Sequence, residues 1–302
     1  MACNLIILNK LSILYIFLLV GFVFGKWKSE QNNHTGILSF LLVNLFLPAK
    51  VFNTFANNFT KSYILEQGKT IAVSLSLLLL LVGFSLLVAK LLTKDKYEQK
   101  VYRYSLTLSN YAYMGYALCE SIFGEKGLTD LILFCIPFAI YTYTFGYAML
   151  TEQGRSIKKL VNPLNMAIVL GIIAGLCGIK MPEILSSVIS SSSACVAPIS
   201  MLLTGITLSA FSMRELFGNT RAYILTAVRL VVIPATVFIF CKVLSLGAVT
   251  MPAVMMSCMP CGLNTIVFPK LIGKDCRLGA RLAMISHLFS IATIPLWLSL
   301  IQ

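Results

Sequence analysis

Residues 251–270 read MPAVMMSCMPCGLNTIVFPK. The stretch is apolar enough to cross a membrane as a helix. Yet Pro260 and Gly262 fall near its centre, with Pro252 and Pro269 on either side. Proline removes an i→i−4 backbone hydrogen bond and glycine adds local freedom, so a break is predicted near 260–264. Lipid satisfies no freed amide or carbonyl, so a broken helix belongs beside an internal cavity. Helices of this kind carry the binding sites of many secondary transporters.

The rest of the chain fits that setting. Of its 302 residues 58% are hydrophobic and 12% charged, whereas soluble domains carry about 25% charged residues. Apolar stretches near the ~20 residues of a span recur throughout, at about 4–24, 37–59, 70–92, 103–123, 129–150, 162–180, 185–209, 221–245, 249–270 and 279–301. The fold class predicted is an all-α membrane protein with ten transmembrane helices. The first stretch has a weak charged n-region (Lys10) and no small-x-small site after Gly25, so it reads as a span rather than a signal peptide.

The formal charge of +13 reports topology. Sixteen of the Lys and Arg residues lie in odd-numbered connections and six at the N-terminus or in even ones. Such an excess marks the cytoplasmic side, so the chain is expected in the cell membrane with both termini extracytoplasmic. No nucleic-acid partner is needed to explain the basicity. Nine cysteines, most inside spans, read as small hydrophobes rather than a disulfide framework. Cys258-x-x-Cys261 lacks the second pair that a metal site requires. No His-Glu-x-x-His, P-loop or Gly-x-Ser-x-Gly pattern is present, so no enzyme and no metal or other cofactor is expected.

Short signals repeat at an almost constant offset. Gly21-x-x-x-Gly25 matches Gly171-x-x-x-Gly175 and Leu47-Pro48-Ala49 matches Ala197-Pro198-Ile199, both at 150; Phe123-Gly124 matches Ile272-Gly273 at 149. The chain therefore divides into five-span repeats, 1–150 and 161–302, joined by a basic cytoplasmic linker at 151–160. An odd number of spans per repeat inverts the second, the arrangement of many secondary transporters. Span 4 is the partner of the broken span 9. It carries Ser105, Thr107, Ser109, Asn110, Tyr111, Tyr113, Gly115, Tyr116 and Glu120, and Tyr111 falls opposite Pro260. Facing half-helix N-termini offer unsatisfied N–H groups to an anion, and Asn110 and Asn264 add neutral donors.

Leu108-Ser109-Asn110-Tyr111-Ala112-Tyr113-Met114-Gly115 and Met259-Pro260-Cys261-Gly262-Leu263-Asn264 resemble the two crossover motifs of the auxin efflux carrier family. Leu47-Pro48-Ala49, Asn162-Pro163-Leu164, Leu203-Thr204-Gly205-Ile206-Thr207-Leu208 and Ile294-Pro295-Leu296-Trp297-Leu298 are similar to family habits too. Tyr116 stands where many members have proline, and Lys50 where they are apolar. Without the long hydrophilic middle loop of the plant branch, the chain is closer to the compact, mostly microbial members. The fold implied is one shared with bile acid/sodium symporters. The resemblance implies a scaffold of spans 1, 2, 6 and 7 and a mobile domain of spans 3–5 and 8–10. It also implies elevator-like efflux or exchange of a small organic anion. Asn110, Gly115, Pro260, Gly262, Asn264 and Thr265 are then the candidate substrate site.

Charged residues inside spans are functional suspects. Lys50, Glu120 and Arg229 are candidates for charge coupling or gating, with Arg229 expected to pair with Glu120 or to touch the anion. His287 reads as a packing residue or a proton shuttle. Na+ or H+ coupling, a homodimer, a coupled symporter of the same fold and a non-transporting receptor remain open at this level.

Overall fold

The computed structural model describes residues 2–27, 33–152 and 161–301. Most of the predicted 151–160 linker lies outside them. Ahead of it come α1 (Ala2–Trp27), α2 (Asn33–Leu41), α3 (Leu47–Asn58), α4 (Lys61–Glu66), α5 (Gly68–Leu92), α6 (Lys96–Thr107), α7 (Tyr116–Tyr141) and α8 (Tyr147–Thr151). Beyond it come α9 (Pro163–Cys177), α10 (Glu183–Ala194), α11 (Val196–Ser209), α12 (Met213–Phe217), α13 (Thr220–Ala227), α14 (Ile233–Val243), α15 (Thr250–Ser257), α16 (Asn264–Lys270) and α17 (Arg277–Ser299). Single π-helical turns at Leu42–Phe46, Tyr111–Gly115, Thr142–Gly146 and Val228–Val232 bend the longer runs. Among the described residues there is no β-strand, only an isolated antiparallel bridge between Ser109 and Cys261.

Seven of the described helical runs are long and apolar enough to cross a membrane: Ile6–Trp27, Gly36–Asn58, Gly68–Leu92, Tyr111–Thr151, Glu183–Ser209, Thr220–Val243 and Arg277–Ser299. Pro163–Cys177 and Gly247–Ser257 are apolar but shorter. The count is below ten for physical reasons. Tyr111–Thr151 is 41 residues long, twice what one span needs, and covers parts of two predicted spans. Within it Gly124 departs from helical geometry at φ 70°, ψ −169°. Gly273, its counterpart 149 residues later, has φ 68°. Both positions need glycine because a Cβ is strained there.

Local signals account for the boundaries. The Asp95 carboxylate accepts from the amides of Tyr97 and Glu98 at 2.8 Å, starting α6. Asn162 caps α9 ahead of Pro163 at its first position, and Ser212 and Glu215 form a capping box on α12.

Two helix pairs make the most extensive contacts, α1 with α11 and α3 with α9. In each pair glycine lets backbones meet. A Cβ on Gly205 would lie 2.0 Å from the Leu18 carbonyl oxygen, and one on Gly175 would lie 2.6 Å from that of Phe55. A second group packs α5 on α6 and α7, α14 and α7 on α15, and α13 on α17. Exposed Ile, Leu, Val and Phe side chains on α1, α5 and α10 form the kind of outer surface that lipid solvates.

Candidate functional site

The helix of predicted span 4 stops at Thr107 and restarts at Tyr111; that of span 9 stops at Ser257 and restarts at Asn264. The two interruptions lie against each other. The Asn110 amide donates to the Pro260 carbonyl at 2.8 Å, next to the Ser109–Cys261 bridge. The Ser109 hydroxyl donates to the Met256 carbonyl at 2.7 Å, and the Cys261 amide to Ser286 Oγ at 3.0 Å. The freed polar groups are thus satisfied partly across the two breaks and partly by α17. Gly262 eases the approach, since a Cβ there would lie 3.2 Å from the Ser109 carbonyl oxygen, a tight contact.

Arg229, in the π-turn before α14, is fully buried. Its guanidinium donates to the carbonyls of Leu106 (3.0 Å), Met259 (3.2 Å) and Met256 (3.4 Å). Leu106 and Met256 belong to the last turns of α6 and α15, where backbone carbonyls have no intrahelical partner and the helix dipole is negative. One cation therefore serves the C-terminal ends of both interrupted helices. The expected pairing of Arg229 with Glu120 is not what forms. Planar, forked donors suit three carbonyls converging from two segments of the chain, whereas pairing with one carboxylate would have left the Leu106 and Met259 carbonyls bare.

Glu120 instead bonds Lys50, Nζ to Oε2 at 2.5 Å. Lys50 is 2% exposed and Glu120 38%, so the pair runs from the interior towards the surface. It joins α3 to α7, and a buried ammonium on α3 is explained by having this partner.

A small cavity of about 40 Å³ opens at the restart points, lined by Leu47, Tyr104, Asn110–Tyr113, Leu164 and Gly262–Asn264, among others. That is room for about one or two waters. Both asparagines are engaged in this state: Asn110 Nδ2 lies 3.1 Å from His287 Nε2, and Asn264 Nδ2 donates to the Tyr104 hydroxyl at 2.9 Å. Of the other predicted site residues, Gly115 packs against Met259, Pro260 supplies the carbonyl bonded by Asn110, and the Thr265 hydroxyl donates to the Gly262 carbonyl at 3.0 Å. These three shape the breaks; Asn110, Gly262 and Asn264 line the cavity. The helix restarting at Asn264 has only seven residues, so its contribution is the asparagine side chain rather than a macrodipole. Tyr104, Tyr143, Thr142 and Leu164 were not legible as cavity residues. Tyrosine and leucine inside apolar helices look like packing until the breaks bring them together.

At one end of the molecule Glu152 takes Lys100 and Lys274 as partners, and Arg221 lies 3.4 Å from Glu98. The two lysines hold the Glu152 carboxyl below its ordinary range, at about 2. The basic connections expected on one membrane side thus meet.

A family model described as "Membrane transport protein" matches residues 6–160 and 155–298, nearly the whole chain. The chain belongs to that family. It is the auxin efflux carrier family whose crossover motifs spans 4 and 9 resemble. An uncharacterized transporter of Methanocaldococcus jannaschii is 28% identical over 301 residues, covering 94% of this chain and 96% of that protein. Membership in this family, with seven apolar helices, makes the protein an integral membrane transporter.

Proposed function

We propose that the chain is a secondary transporter, by efflux or exchange, of small organic carboxylate anions, working by an elevator-like mechanism. The observation that carries this is the polarity of the paired breaks. Arg229 occupies their C-terminal ends, while the cavity at their restart points presents Asn110 and Asn264. The fixed cation is turned away from the ligand, so what faces it are neutral donors and the amides that begin the Tyr111–Gly115 turn. Such a surface binds a carboxylate without trapping it.

Ten spans in two inverted repeats are the arrangement behind the mechanism. A shift of 150 residues exchanges spans 1 and 6, and likewise spans 2 and 7. The packing of α1 on α11 then becomes that of α9 on α3, each sealed by glycine. The left-handed Gly124 and Gly273, and α5 on α6 beside α14 on α15, follow the same rule. Spans 1, 2, 6 and 7 serve as scaffold, with spans 3–5 and 8–10 moving. The Lys50–Glu120 pair crosses that division, which suits a gate that must part in each cycle. In the tight cavity His287 and Tyr104 hold the asparagines; a ligand displaces them as partners.

Calorimetry on the purified full chain with a panel of mono- and dicarboxylates tests the site. At least one carboxylate should bind, and its amide analogue should not. A panel that binds equally well as amides would defeat the assignment.

A further inference from the structure

His287, on α17, is buried beside Asn110. Its Nδ1 lies 2.7 Å from the Ala283 carbonyl oxygen, which can only accept, so Nδ1 carries a proton. In a neutral ring Nε2 is then a bare acceptor, and the Asn110 amide must present Nδ2–H to it. If the ring is protonated, Nε2–H becomes a donor and the amide must turn over, giving Oδ1 to histidine and its N–H groups to the cavity. The two protonation states thus specify two orientations of one carboxamide. One offers the cavity mainly an acceptor, which repels an anion; the other offers donors.

We infer that His287 is the proton site of this transporter, setting the face that Asn110 shows to the anion so that one proton accompanies each carboxylate. The inference rests on the proposed anion site. The surroundings give the coupling its sign. From α1, Tyr15 donates its hydroxyl to the His287 backbone carbonyl at 2.6 Å. From the span-9 break, Cys261 bonds Ser286, the residue before His287, and the Arg229 cation, on a turn that also packs on α17, bonds the break at Met259. Arg281 of α17, six residues earlier, donates to the backbone carbonyl of α12 residue Glu215, whose carboxylate stays on Ser212, and α13 meets α17 through Tyr223 on Phe289. Tyr104 of α6 is bonded to Asn264 in the same cavity, and Lys270 ends α16 at an exposed position. No carboxylate bonds the ring among the described residues. A buried imidazolium therefore lacks a counter-charge until an anion arrives, and the anion lacks the Asn110 donors until the proton arrives. Each raises the affinity for the other by the same factor.

The chain has only two histidines, His34 and His287, so His34→Gln leaves a single imidazole to observe. Nitrogen NMR of that full-length protein in lipid nanodiscs, across pH about 4 to 8, reads ring protonation. The Asn110 side-chain amide, assigned by its loss in Asn110→Ala, reads orientation. Spectra are taken alone and with acetate, benzoate or succinate. The expected result is a ring with Nδ1–H at high pH and an Asn110 amide that changes with the ring's own midpoint. A bound probe should raise that midpoint, and probe affinity should fall about tenfold per pH unit between the ligand-free and the raised midpoint, becoming pH-independent in His287→Gln. A ring that titrates while the Asn110 amide stays unmoved overturns the inference, as does a probe that binds without shifting the midpoint. If no probe binds, the anion site fails, while the ligand-free titration still decides whether His287 turns Asn110.

Discussion

Arg229 is the residue on which the two interrupted helices depend most. Replacing it with Met leaves the Leu106 and Met259 carbonyls without their donor, while that of Met256 keeps the Ser109 hydroxyl; a bond to a charged group is worth about 1.5–3 kcal/mol. Arg229→Met should therefore lower the thermal midpoint of the purified protein sharply. Arg229→Lys should recover only part of the loss, because a point charge cannot fork to three acceptors. Equal midpoints for wild type and Arg229→Met would show that the carbonyls find other partners. The asparagines should behave differently. Asn110→Ala or Asn264→Ala should cost about 1.5–3 kcal/mol of binding, roughly 10–150-fold in Kd, with a non-additive double mutant and little change in melting. For Lys50→Met, uptake should change more than stability, since Glu120 at 38% exposure keeps water as an alternative partner. At this scale the sequence marked Asn110, Asn264, Lys50 and Arg229 as unusual through their polarity in apolar surroundings. It did not pair them correctly, because Lys50 and Glu120, or Arg229 and Leu106, are far apart in the chain and only the tertiary fold sets which charge meets which group.

Among the elements, the break in span 9 was legible from Pro260 and Gly262, and the observed gap, 258–263, overlaps it closely. Span 4 has no proline at its break, and its unusual polarity, its place opposite span 9 in the repeat and its crossover-like motif pointed there. Span lengths were less legible. Tyr111–Thr151 is continuous helix except at Gly124, and α9 ends at Cys177 because Gly178 adopts a left-handed C-cap. Close helix contacts, by contrast, follow from the small-residue spacing. Gly205→Ala should force α1 and α11 apart against the Leu18 carbonyl and cost about 1–3 kcal/mol. The comparison variant Gly36→Ala meets open space and should leave melting unchanged. Equal melting curves for the two variants would contradict the close approach.

Over the whole molecule, the charge pattern predicts sidedness as well as composition. Connections around Lys100, Glu152 and Lys274 meet at one end, as their shared basicity anticipated. Burial against the partner lysines is slight, so the clamp is electrostatic and its pH response has a definite sign. The Glu152 carboxyl is held below its ordinary range, so the clamp is complete above about pH 4.5 and weakens as pH falls towards about 2. Hydrogen exchange in the 271–276 connection should quicken over that window in the wild type and show no such step in Glu152→Gln. Impermeant cysteine labelling on a cysteine-free background should reach both termini from outside and position 158 only from inside.

Counterflow in proteoliposomes bears most directly on transport itself. Liposomes carrying the purified chain are loaded with one unlabelled mono- or dicarboxylate and diluted into a trace of the same compound labelled. For at least one carboxylate the label should accumulate transiently above equilibrium in wild-type vesicles and fail to do so with Asn110→Ala protein of unchanged stability. Accumulation for no carboxylate on the panel, or accumulation unaltered by Asn110→Ala, would contradict a carboxylate transporter built on these two broken helices.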